Sequence, residues 1–113
     1  MNLHGEVYTV SNQGAFTKDF CLRDQIRRAS VSIMSNIAEG FEKRWEPGIL
    51  QFLAVAKCSS GEVRAQLYVA FDRGYINKNT FETLSAISIE IGSLIGGLMN
   101  YLRETDMKGK KFK

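Results

Sequence analysis

A chain of 113 residues, 44% hydrophobic and 24% charged, is long enough for one core and too short for two. That balance excludes a disordered chain, and two cysteines are too few for a disulfide-built scaffold. The net charge of +3 is local: residues 108–113, KGKKFK, hold four lysines and no acid, leaving 11 basic against 12 acidic residues elsewhere. No charged-then-apolar leader opens the chain and no apolar run approaches ~18 residues, so a cytoplasmic protein without a membrane partner is expected. Cys21 and Cys58 form no C-x-x-C pattern and are expected as free thiols, buried or half-buried.

Residues 1–14 read as a short helix. Leu3, Val7 and Val10 fall at i, i+4 and i+7, Gly5 and Gly14 weaken it, and no strong cap is visible. Residues 15–20, AFTKDF, make a connector in which Thr17 or Asp19 can cap the next helix. Phe16 and Phe20 are expected to tuck against the core beside it. The second helix, from Leu22 to about Trp45, is both strongly periodic and strongly polar. Leu22, Ile26, Ala29, Ile33, Ile37 and Phe41 share a face about 100° wide. Arg23 and Arg27 flank it, while Asp24, Arg28, Ser35 and Glu39 point away.

Pro47 disfavours helical geometry at Glu46 and suits the first turn of a new helix, so a third helix is expected over 47–73. It ends at Gly74, a natural left-handed residue. Its main face collects Ile49, Phe52, Leu53, Ala56, Val63, Leu67, Ala70 and Phe71. A second stripe of Ala54, Cys58, Gly61, Ala65 and Val69 implies cover from two directions. A fourth helix over about 79–104, capped by Asn77 or Asn79, has a wide apolar face from Phe81 and Leu84 through Ile87, Ile91, Leu94, Ile95 and Leu98 to Leu102. Gly92 and Gly96, four apart, let two helix backbones approach closely. The expected fold is all-α: an antiparallel up-down-up-down four-helix bundle with a short first helix, one domain over 1–107 and a basic tail at 108–113.

Catalytic patterns are missing. His4 is the single histidine and has no partner at metal-ligand spacing. Cys58 has no base on its helix, and neither a phosphate-cradling glycine motif nor a Glu-x-x-His pair occurs. No catalytic residue, metal or cofactor is therefore expected, and the chain is not expected to be an enzyme. Surfaces remain. Lys18, Arg23, Arg27, Arg28, Lys43 and Arg44 give six bases against four acids between 18 and 44. With Lys108, Lys110 and Lys111 they are the candidate nucleic-acid contacts, since each phosphate contact releases condensed counterions. The alternative is a solvated flank with pairs such as Asp24–Arg28 and Arg28–Glu39. Asn36, beside the apolar face, suits a structural amide. Trp45, Tyr68 and Tyr101 sit off the main faces, as residues at an oligomer contact do.

The string DQIRRASVSIMSNIAEGFEKR resembles the hallmark of the four-helix-bundle proteins encoded within intervening sequences of bacterial 23S ribosomal RNA genes, and FLAVAKCSSGEVRAQLYVAFDRGYI resembles the same family's third helix and turn. The match is densest from Phe20 to Ile76. The resemblance implies a left-handed bundle assembled as a ring-like homopentamer. It brings in a relative, the accessory variability determinant of diversity-generating retroelements, which binds a reverse transcriptase and nucleic acid through basic surfaces. It supplies no catalytic residue, and marks Gln25, Arg27, Arg28, Asn36, Glu39 and Gly40 as a structural or recognition signature. Two departures stand out: the family's first helix is usually longer, and Met34 replaces a common proline. The expectation is a homo-oligomeric bundle that binds RNA or DNA; the alternative is a protein-binding scaffold or accessory subunit that touches no nucleic acid.

Overall fold

The structure, a computed structural model, describes residues 2–43 and 48–111, with side chains as far as Thr105. Every regular element in it is an α-helix: α1 (Leu3–Ser11), α2 (Gly14–Lys18), α3 (Phe20–Glu42), α4 (Ile49–Asp72) and α5 (Lys78–Lys111). Together they make a rod of 58 × 21 × 19 Å.

α1 does have a cap. The Asn2 side chain accepts a hydrogen bond from Gly5 N at 2.9 Å, satisfying one of the donors that a helix start leaves open. The connector is itself a short helix, α2, and Asp19 after it caps α3 by accepting from Leu22 N at 3.2 Å. Phe16 is fully buried and stacks on Tyr75, ring centroids 5.4 Å apart. Phe20 is not tucked in: it is 63% exposed, with the Arg23 guanidinium over its ring. Two residues before Leu22, it lies about 160° round the helix from the core face.

α3 buries Leu22, Ile26, Ala29 and Ile33, and α4 buries Leu53, Ala56, Val63, Leu67 and Ala70, at about 1.5–3 kcal/mol for each larger side chain. α4 packs on both α3 and α5, and α1 packs on α3 and α5. The larger apolar cluster joins Leu3 and Val7 of α1 and Phe16 of α2 to Ile26, Leu67 and Leu84. A smaller one, around Leu53, Ala56, Ile95 and Met99, lies further along α4 and α5.

One corner is pinned by polar contacts. Asp19 Oδ2 accepts from Tyr75 Oη at 2.9 Å and from Arg73 Nη1 at 3.2 Å, tying the start of α3 to the turn between α4 and α5. That turn reverses at Gly74, φ 74°, where Tyr75 N donates to Ala70 O at 2.9 Å. The expected close approach of backbones falls at Gly92, where a Cβ would stand 2.9 Å from Ser60 Oγ of α4.

Three further expectations fail. Phe41 and Leu94, assigned to core faces, are exposed. The second stripe of α4, Ala54, Cys58, Gly61, Ala65 and Val69, is uncovered. Both cysteines are free but exposed. The common cause is cover: α1 spans nine residues, and only one side of α4 has neighbours. The backbone of residues 108–111 continues α5.

Candidate functional site

The basic residues of α3 divide by direction. Arg27 turns inward: its Nε donates to the buried Ser11 Oγ at 2.8 Å, and its guanidinium lies 4.6 Å from the Tyr8 ring centroid. It fastens α1 to α3, and its partners there are Ser11 and Tyr8, not Glu39. Arg23 is similarly engaged, Nε to Asp24 Oδ1 at 3.1 Å and Nη1 to Thr17 O at 3.2 Å. Asp24 thus pairs with Arg23, not with Arg28 as the helix spacing suggested. Arg28 is exposed and makes no ion pair among the described residues; it borders an open cleft of about 500 Å³ beside Tyr8, Asp24 and Val31. Lys18 is exposed at the end of α2, and Lys43 Nζ lies 5.9 Å from the Phe52 ring centroid. Arg44, Trp45 and Pro47 lie outside the described residues, as do the side chains of Lys108, Lys110 and Lys111.

The rest of the polar signature is structural in its contacts. Asn36 Nδ2 donates to Ser32 O at 2.8 Å and Ser32 Oγ at 3.1 Å, while Ser59 Oγ of α4 donates to the same Ser32 hydroxyl at 2.8 Å. The amide therefore serves a hydroxyl bridge between α3 and α4. Gly40 is buried where a Cβ would sit 3.5 Å from Leu53 Cδ2. Gln25 Nε2 donates to Cys21 Sγ at 3.4 Å, and Glu39 is exposed. On the opposite flank of α4, Lys57 and Arg64 line a cleft of about 450 Å³ with Gly61, Gly92 and Ser93, and no carboxylate lines it.

Among the described residues, Asp19 is the one acid whose environment shifts it clearly: the Leu22 amide, then the Tyr75 hydroxyl, then Arg73 hold its carboxyl below the ordinary 3.8. Arg73 is correspondingly raised, chiefly by its contact with Tyr75 and the charge of Asp19. No cluster of three or more His, Cys, Asp or Glu suited to a metal ion occurs among the described residues.

The largest unexplained feature is apolar. Val31, Met34 and Phe41 follow Arg27 by 4, 7 and 14 residues, so they lie on the side of α3 that carries α1. Leu94, Leu98 and Tyr101 follow the buried Ile87 by 7, 11 and 14 on α5. Past the end of α1 this strip is open: Met34 is 55% exposed, Phe41 56%, Leu94 66% and Tyr101 64%. By length and composition the Lys78–Thr105 part of α5 is apolar enough to cross a membrane, yet only 28% of its most apolar window is buried within the chain. Periodicity assigns Phe41 and Leu94 to core faces, and both are exposed because periodicity carries no information on how far the cover opposite them extends. The short first helix was the available signal.

Residues 1–97 match the family model described as 23S rRNA-intervening sequence protein. Among solved structures the chain is similar to a protein of unknown function from the S23 ribosomal protein family of Bacteroides thetaiotaomicron VPI-5482. The TM-score is 0.76 and the identity 23%, over 85% of this chain and 87% of that one, a likeness of fold. No curated protein matches the chain.

Proposed function

The chain belongs to the family of 23S rRNA-intervening sequence proteins, and we propose that it is a non-enzymatic subunit that works as a homo-oligomer. Its helices are read as an antiparallel four-helix bundle in which α1 and α2 stand for a shortened first helix. The observation that carries the proposal is the open apolar strip on α3 and α5, since soluble chains rarely leave several large apolar side chains contiguous and exposed. The homopentamer implied by the sequence resemblance is the expected assembly, and two free thiols support a cytoplasmic setting. Light scattering at micromolar concentration tests it: the expected mass is several times 12.7 kDa, and a clean monomer would refute it.

A second reading, that the oligomer binds nucleic acid, draws support from Arg28 and from the cleft of Lys57 and Arg64, cations without ion pairs among the described residues. Repetition around an assembly multiplies weak contacts. Titration of a labelled RNA hairpin at low salt should show binding that falls steeply as salt rises. Arg28→Ala together with Lys57→Ala and Arg64→Ala should weaken it with the oligomer intact. No binding at low salt leaves the protein-scaffold role.

A further inference from the structure

A cleft between α3 and α4 is lined by opposite charges that leave each other unpaired, and we propose that it receives a guanine base, of a free nucleoside or of an unpaired nucleotide in RNA. The proposal goes beyond the phosphate contacts considered above, because it concerns the edges of a base and holds for an uncharged ligand.

The cleft has a volume of about 460 Å³. Gln25, Arg28 and Ser32 of α3 follow one another at intervals of 3 and 4, so they share one side of that helix. Ser59, Glu62 and Gln66 repeat the pattern on α4. One link across the cleft is closed: Ser59 Oγ donates to Ser32 Oγ at 2.8 Å. The others stand open. Arg28, which also borders the cleft beside Tyr8, and Glu62 are exposed on opposite walls. Neither makes an ion pair among the described residues. Gln66 Oε1 is buried and meets no donor among the described residues, an acceptor that folded chains rarely leave over. Ala29, buried and small, lies between the walls. Of the polar signature, Arg27, Asn36 and Gly40 are engaged inside the fold, whereas Gln25 and Arg28 stay exposed.

These groups set the chemistry of the ligand. A phosphate would be drawn to Arg28 and repelled by Glu62, so the pair offers an anion no net attraction. Both walls are satisfied by a neutral group that accepts from a guanidinium on one edge and donates to a carboxylate on the next. Guanine is the base with that pair of edges. Its N7 and O6 accept from an arginine fork, and its adjacent N1–H and N2–H donate in parallel to the two oxygens of a carboxylate. Adenine and cytosine bring a single amino group to a carboxylate, and uracil a single N–H. Arg28 thus takes the N7 and O6 edge and Glu62 the N1 and N2 edge, with the Ala29 methyl as an apolar floor. The second amino hydrogen is left for the Gln66 amide, whose last torsion is soft enough to bring its oxygen round.

Guanosine is the probe, since it has no phosphate. Titrated into the wild-type chain, it is expected to shift the amide resonances of Arg28, Glu62 and Gln66 to saturation. That binding should change little with salt, whereas phosphate contacts weaken steeply as salt rises. Adenosine should bind about tenfold more weakly, and Glu62→Gln and Arg28→Ala should each weaken guanosine by about the same factor with native helix content. 7-Deazaguanosine, which lacks N7, should bind the wild type less well than guanosine does and Arg28→Ala equally well, a pattern that misfolding does not produce. Guanosine without saturable shifts, adenosine bound as tightly, or variants that bind like the wild type would each overturn the proposal. Guanosine monophosphate that binds where guanosine does not would make phosphate the ligand and overturn it too. Competition by an RNA hairpin with an unpaired loop guanine assigns the base to RNA, and its absence assigns the site to the free nucleoside. RNA binding at low salt with no response to guanosine overturns this site alone and leaves the nucleic-acid reading standing.

Discussion

Arg27 and Arg28 are adjacent in the chain and about 100° apart on α3, and that angle separates their chemistry. Arg27 hands its charge to a buried serine and an aromatic face. Arg27→Ala removes a hydrogen bond and a cation–π contact together, and a loss of about 1–2 kcal/mol is expected in urea unfolding. Arg28→Ala should change stability by less than about 0.5 kcal/mol, as at other open surface positions; equal losses in the two variants would remove the distinction. Asp19 offers a pH test. Its carboxyl is held below 3.8 in the fold, so its stabilisation is complete above that value and lost as pH falls through the folded-state value. Asp19→Asn should therefore melt below the wild type at pH 7, and the gap should narrow as pH drops below 3.8. A gap independent of pH would mean that the charge is not what holds the corner.

At the scale of the element, α5 contains glycines with opposite duties. Gly97 has nothing within 4 Å of where a Cβ would sit, so Gly97→Ala should gain up to about 1 kcal/mol of helix propensity. Gly92→Ala gains the same propensity but forces Ser60 Oγ away from the Lys57 carbonyl it bonds at 2.7 Å. It should be less stable than Gly97→Ala by thermal melting, and equal gains would contradict the close approach of α4 and α5. The sequence carried much of this. Periodicity assigned Leu22, Ile26, Ala29 and Ile33 to one buried face, and Gly74 to a left-handed turn, because both depend on neighbours along the helix. It could not reveal that Phe41 and Leu94 stay open or that the outer stripe of α4 is bare, because burial depends on which element lies opposite and for how long. The fate of Arg27 was hidden for the same reason: its partners, Ser11 and Tyr8, lie 16 and 19 residues away in sequence on another helix.

For the molecule as a whole, the polar corner at Asp19 and the larger apolar cluster share one end of the rod, and the smaller cluster stands alone toward the other. A rod secured at one end opens from the other. Backbone amides near Leu53 and Ile95 should exchange with deuterated solvent well before those near Ile26 and Leu67, and equal rates would contradict this order. The tether between Asp19, Arg73 and Tyr75 thus gives the chain a direction of fraying, from the far end of α4 and α5 back toward the pinned corner.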